Sequence, residues 1–353
     1  MTVLLINQEQ IPQYRVSVYN YLADFLAKRG FVLTIVSAGV PAGNTQPIRF
    51  DHRVMKLAVP QLSKLIWELN PDIVIYWVRL RHLYLFPILL LLKALGKKMI
   101  YWGHGRDLSR NPGLSVRQLA NSIEYSFSDA MILYAEHLRP NVGKRLQFKV
   151  FVANNTLHFD EERVPMVRER CLAKYNITTS RNIICTGRMQ RRKRMQDLLE
   201  AFKLMNRPDV GLILVGPDSD GVLAGVEGPN IYKLGPIYGD ERLDLLAASD
   251  VFCLPGAVGL SIVDAFYAGL PFVTEDGDES PELMYLKPGV NGFVVPRGDT
   301  RQLAEKLELL LDDEDVRRRF SLAARAEIAS TGHIDRMCQG FCDALRFVAG
   351  QAS

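Results

Sequence analysis

Leu212-Ile213-Leu214-Val215-Gly216 and Met99-Ile100-Tyr101-Trp102-Gly103 are apolar runs without polar alternation, each closed by a glycine. A strand covered on one face alternates polar and apolar residues. A strand buried on both faces does not, and such strands belong to parallel sheets covered by helices. The same kind of segment recurs through both halves of the chain. In the first half the expected strands are Val3–Asn7, Val32–Ser37, Ile73–Trp77, Met99–Trp102 and Ala130–Tyr134. In the second half they are Asn182–Thr186, Gly211–Val215, Ile231–Leu234, Val251–Leu254 and Pro271–Thr274. Helical patterns separate them, among them Arg15–Arg29, Met195–Met205, Asp240–Ala248, Val263–Ala268 and Thr300–Leu311, the last with Asp299 as a cap. Strand–helix alternation repeated in both halves predicts a doubly wound α/β fold built twice.

The length of 353 residues suits two domains. The expected boundaries are residues 1–160 for the first domain and 161–334 for the second. A C-terminal helix over 335–353 follows, free by sequence to pack on either domain and expected to return to the first. The division is expected near Asn155–Val164, where polar residues interrupt the pattern. Five cysteines form no C-x-x-C pair, which reads as buried thiols in a reducing cytoplasm. The opening MTVLLINQEQ has no basic leader and reads as a first strand.

Charge is uneven. Residues 1–160 hold 19 Lys/Arg against 10 Asp/Glu, a balance of +9, while residues 161–353 hold 24 against 29, a balance of −5. A basic half suits an anionic membrane or an acidic substrate, or simply keeps a surface soluble. Nucleic acid is not expected, because no recognised binding motif accompanies the charge. The segment Arg79–Lys98, RLRHLYLFPILLLLKALGKK, has an apolar run of about ten residues, too short for a span of roughly 20. Its basic flanks fit a helix lying on a membrane surface; a core helix of the first domain fits equally.

No P-loop, zinc motif or G-x-S-x-G elbow is present. Two strand–loop–helix junctions in the second half carry chemistry instead. Thr186-Gly187-Arg188 leads through Met189–Lys193 into a helix. A glycine there lets a ligand approach the backbone, and Arg188 with Lys193 supplies two charges for a diphosphate. The plainer alternative is a solvated basic helix start. The second junction is Pro255-Gly256-Ala257-Val258-Gly259-Leu260, followed by a helix with Asp264 in its first turns. It offers amides to an anion or a sugar hydroxyl and a carboxylate to a ribose, or is only a tight turn before a helix.

Taken in order, TGRMQRRKR, LILVGPDSDG, the glycine of KLGPI, LDLLAASDVFCLPGAVGLSIVDAFYAGLPFVT and SPELMYLKPGVNGFVVPRGDTRQLAEKL cover about residues 182–311. This set resembles the family 4 retaining glycosyltransferases (glycosyl transferases group 1), which have the GT-B architecture. The first half matches loosely, through Tyr101-Trp102-Gly103-His104-Gly105 and Val152-Ala153-Asn154-Asn155. The resemblance implies two Rossmann-like domains facing a central cleft and a nucleotide-diphosphate sugar as donor, with no cofactor and no metal. By the same resemblance, Arg188 and Lys193 grip the diphosphate and His104 lies near the transferred sugar. Gly187 and the loop Gly256, Ala257, Val258, Gly259 and Leu260 line the donor, Asp264 binds the ribose, and Glu282 belongs to a loop beside the donor. Gln13 and Arg15, after the first strand, are candidates for the acceptor, a carbohydrate or lipid-linked intermediate of polysaccharide or envelope assembly. The expected location is the cytoplasm, at the inner face of the membrane where such an acceptor is met. One position departs from the family pattern: the first glutamate of its E-x7-E motif is Gly256 here, and the second is Asp264. Two other readings therefore stay open, a non-catalytic sugar-binding or partner subunit and a nucleotide-sugar 2-epimerase of the same architecture.

Overall fold

The computed structural model describes residues 1–41, 44, 46–76, 86–105, 123–277 and 280–351. Trp77 of the expected strand Ile73–Trp77, residues 79–85 of the segment Arg79–Lys98, and residues 278–279 lie outside them. The chain divides into two compact units, Met1–His158 with His333–Ser353, and Phe159–Gly332.

The first unit holds seven parallel strands: β1 (Thr2–Ile6), β2 (Val32–Ser37), β3 (Asp51–Val54), β4 (Ile73–Tyr76), β5 (Lys98–Gly103), β6 (Ala130–Leu133) and β7 (Val150–Val152). Their order is β3-β2-β1-β4-β5-β6-β7. Successive side chains leave opposite faces of a strand, and both faces here are covered. Val3 and Leu5 of β1 point into one core with helices α1 (Gln13–Ala27) and the C-terminal helix, through Val16, Tyr19, Met337 and Phe341. Leu4 and Ile6 point into the other core, with α2 (Val59–Leu69) and α3 (Phe86–Ala94). This is why the strand sequences do not alternate. The C-terminal helix, Ile334–Val348, runs against β6, β7 and α1 of this unit.

The second unit has six parallel strands: β8 (Arg181–Thr186), β9 (Val210–Val215), β10 (Ile231–Gly235), β11 (Val251–Cys253), β12 (Phe272–Glu275) and β13 (Gly292–Val295). Their order is β10-β9-β8-β11-β12-β13. Its helices are α4 (Arg168–Lys174), α5 (Met195–Met205), α6 (Gly239–Ala247), α7 (Ser261–Ala268), α8 (Thr300–Asp312) and α9 (Glu314–Ser330), with the C-terminal helix becoming α10. Asp299 caps α8 by accepting from the Gln302 amide at 2.9 Å. In both sheets the chain starts centrally, winds outward one way, then returns to the other side of the first strand. That reversal creates a switch point beside β1 in one unit and beside β8 in the other, the place where open α/β sheets bind ligands.

β3, β7 and β13 were not among the expected strands. All three are sheet edges of only three or four residues. β3, Asp-His-Arg-Val, is largely exposed, so burial leaves no apolar run to read.

Candidate functional site

At the switch point of the second unit, β8 ends at Thr186 and the chain turns at Gly187. Gly216, at the end of neighbouring β9, sits so close that a side-chain carbon there would collide with the Gly187 carbonyl oxygen. The turn is thus pressed onto the sheet. Arg188 is exposed, and its side chain has no hydrogen-bond partner among the described residues. A 3-10 turn, Arg191–Lys193, follows, then Arg194 in the left-handed conformation at φ 56°. Lys193 is buried. A carbon built on Gly187 would lie 3.0 Å from Lys193 Nζ and 3.5 Å from Ser261 Oγ. The ammonium and the hydroxyl therefore converge on the end of β8. Ser261 opens α7, whose N-terminus carries no side-chain cap. Uncapped amides of a first turn and the helix dipole favour an anion.

The loop before α7 is braced against the basic turn. The Gly256 amide donates to the Lys193 carbonyl at 3.1 Å, and any side-chain carbon on Gly256 would run into the Arg192 carbonyl oxygen. The family glutamate is missing where there is no room for one. Expectation and structure differ on the loop amides. Gly256 is committed to Lys193, and Gly259 donates to Ser280 Oγ at 3.2 Å. Among the described residues Ala257 and Leu260 keep amides without an acceptor. Gly256→Ala is expected to destabilise the protein by about 1–3 kcal/mol, the usual cost of overpacking. Urea unfolding measures it, and unchanged stability would mean that the Arg192 carbonyl yields freely.

Two carboxylates of the site are not free in the way the sequence suggested. Both oxygens of Asp264 accept from Arg242 of α6, at 2.6 and 2.8 Å, so its availability to a ribose is limited to the remaining lone pairs. Burial raises the Asp264 carboxyl above its ordinary range, with Arg242 opposing. Glu282 is buried in the 3-10 turn Pro281–Tyr285, next to Ser280, which holds Gly259. Glu275, at the end of β12, was not anticipated. It pairs with Arg194 at 3.1 Å, and burial pushes its carboxyl up to about 7. The only sequence signal was a charge closing the apolar run Phe272–Thr274.

This geometry sits inside a recognisable segment. Residues 180–313 match the family model of glycosyl transferases group 1. They form a glycosyl transferases group 1 domain. The chain is 32% identical over 145 residues to the phosphatidyl-myo-inositol mannosyltransferase of Mycobacterium leprae (strain TN), a match covering 38% of each. It is 29% identical over 168 residues to the lipopolysaccharide core biosynthesis glycosyltransferase LpsE of Rhizobium meliloti (strain 1021), covering 44% of this chain and 46% of LpsE. The matches span less than half of either relative. Among solved structures, a glycosyltransferase from Rickettsia africae ESF-5 superposes with a TM-score of 0.79 at 17% identity, over 99% of both chains. Anabaena HepE in complex with UDP and glucose gives 0.78 at 17% identity, over 98% of this chain and 99% of HepE. The fold is GT-B.

Outside the group 1 domain, the first unit holds the remaining candidates, two of them, His104 and Arg15, around one aromatic cluster. His104 follows β5 half-buried, its ring edge-on to Tyr134 at 4.7 Å. Tyr134 in turn meets Trp102 at 5.5 Å. Arg15 is not a surface residue. Its guanidinium lies 5.6 Å from the Trp102 ring and donates to Asn155 Oδ1, tying α1 to the chain after β7. A buried cation over an aromatic face, bonded to an amide, is first a packing element. Gln13 is half-buried and opens α1.

Proposed function

We propose that the chain is a retaining glycosyltransferase that moves a sugar from a nucleotide-diphosphate sugar to a hydroxyl acceptor. The observation that carries this reading is the convergence of Lys193 Nζ, Ser261 Oγ and the uncapped α7 N-terminus on Gly187. Lys193, Arg188 and the helix dipole would offset the charge of the departing diphosphate, an electrostatic role that asks for no divalent cation. The bond from the anomeric carbon to the phosphate oxygen breaks, and the acceptor oxygen bonds to that carbon on the face just vacated. The acceptor's proton passes to the departing phosphate. Double displacement through a carboxylate fits less well, because Asp264 is held by Arg242 and Glu275 is enclosed. The amides of Ala257 and Leu260, with Glu282 and Asp264, are proposed for the sugar and ribose. On the first unit, His104 is proposed for the reacting sugar and Gln13 for the acceptor.

Released nucleoside diphosphate and thermal shift across a panel of donors test this, with UDP-glucose first because HepE has been solved with it. Release with one donor supports transfer. Epimerised donor without acceptor would favour the 2-epimerase reading, and neither shift nor release with any donor would favour the non-catalytic one.

The acceptor is proposed to be a lipid-linked or polysaccharide intermediate met at a membrane surface. No described helix is long and apolar enough to cross a membrane. α3 buries Ile88, Leu89 and Leu92 but exposes Leu90 and Leu91, and Leu95 beyond it is exposed too. Lys97 Nζ donates to Asn70 Oδ1 at 2.6 Å, bringing the end of α2 beside the end of α3. On α2, Trp67 is 81% exposed. Apolar tips beside Lys97, with Lys64 and Lys93 paired to Glu68 and Asp129, leave a mainly apolar, weakly cationic patch that suits a bilayer surface. Flotation with anionic vesicles is expected and should weaken in Trp67→Ser/Leu91→Ser; equal recovery without vesicles would reject membrane contact.

A further inference from the structure

A buried acid lies directly behind the loop that lacks the family glutamate. The Glu275 amide donates to the Pro255 carbonyl at 3.2 Å, and its Oε2 accepts from the Gly298 amide at 3.2 Å and faces Arg194 Nη2 at 3.1 Å. Arg194 also donates from Nε to Asp197 Oδ2 at 2.7 Å. We propose that Glu275 is a positioning residue for the donor diphosphate: through Arg194 it fixes the Arg191–Lys193 turn, and with it the Lys193 ammonium and the loop at Gly256.

Three observations converge on this. Arg194 is held in a left-handed conformation that a side chain of its size rarely adopts, so its surroundings must impose it. The residue so held directly follows Lys193, whose carbonyl receives the Gly256 amide; the turn and the loop are one braced unit. Finally, Arg194 Nη1 and Glu275 Oε1 are both buried with no partner among the described residues. A pair kept for stability alone would satisfy those atoms or be replaced by apolar side chains. Position explains the pair better than stability does.

The groups facing Glu275 set its protonation. Burial raises it most, and Asp197 adds to the rise. The Gly298 amide and Arg194 oppose, and from β11 the neutral Cys253 thiol faces it. The carboxylate is therefore formed, and Arg194 gripped most firmly, on the alkaline side of about 7. In this role Glu275, which is buried, acts through Arg194 and not by direct contact with the donor.

The inference rests on the proposed donor reading, and the experiment separates the two. Binding of UDP-glucose, GDP-mannose and ADP-glucose to the full chain is measured by calorimetry from about pH 5.5 to 9, a window in which their diphosphates do not titrate. Wild type and Glu275→Gln are compared, with thermal unfolding alongside. Wild-type affinity is expected to rise through neutrality. Glu275→Gln is expected to bind about tenfold more weakly at alkaline pH, with that rise abolished, as loss of a charged contact implies. Its melting temperature should stay at or above wild type, because glutamine mimics the neutral form that burial favours. Unchanged affinity and pH profile in Glu275→Gln overturns the positioning role. Weaker binding with a matching fall in melting temperature overturns it too, leaving a structural ion pair. Failure of wild type to bind any of the three defeats the donor reading first, and the inference with it.

Discussion

Lys193→Ala is expected to lower sugar transfer by about a hundredfold, as is Arg188→Ala. One preorganised contact to the charge that develops on a leaving group contributes on the order of 3 kcal/mol, and each 1.36 kcal/mol is about tenfold in rate. The two residues reach that effect differently. Lys193 is buried beside Gly187 and Ser261, so its ammonium acts in a poorly solvated place where charge counts for more. Arg188 is exposed and unengaged among the described residues, so its contribution depends on the donor closing over it. Lys193→Met keeps the stem and removes the charge, and should lose as much activity as Lys193→Ala while retaining the melting temperature. Rates near wild type in Lys193→Met and Arg188→Ala together would reject both residues as the diphosphate grip.

Much of this was legible in the amino-acid order, and the remainder was not for physical reasons. Strand Val32–Ser37 and helix Met195–Met205 have the same bounds when read from the sequence and in the structure, the strand because Leu33–Ser37 are buried and the helix because its apolar face runs between Arg194 and Asn206, both left-handed, which close its two ends. Helix α7 begins two residues earlier than read, since Ser261 enters the first turn without a capping side chain. The basic stretch after β8 announced itself through glycine and charge. Its bracing did not. The Arg242–Asp264 contact spans 22 positions, and Arg194 meets Glu275 from the far side of the sheet order, across β8, β11 and β12. Such pairings depend on which strands neighbour one another, and periodicity carries no record of that. Gly256 shows the same limit: the sequence marks a missing carboxylate, whereas the structure shows a carbonyl oxygen occupying the space of any side chain.

Arg242→Ala is expected to cost about 3–5 kcal/mol of stability, because it strands a buried carboxylate. Asp264 is almost fully buried, and among the described residues both its oxygens are held by Arg242. Even with that partner, burial keeps the folded-state carboxyl raised above the ordinary 3.8. The sign follows. Above 3.8 the unfolded chain ionises freely while the folded chain resists, so stability falls as pH rises through this window and levels off once the folded group has ionised. Removing Arg242 lifts the folded value further and extends the fall to higher pH. Urea unfolding of Arg242→Ala should therefore show a deficit that is large at alkaline pH and shrinks on acidification; a deficit independent of pH would mean lost packing, not a stranded charge. Arg242→Ala/Asp264→Asn removes the charge problem and should recover most of the stability. That double variant also isolates the second role proposed for Asp264. If it folds well yet binds donor poorly, the carboxylate serves the ribose as well as the fold; if it binds donor as wild type does, Asp264 is a core residue held by its arginine and the ribose is recognised elsewhere.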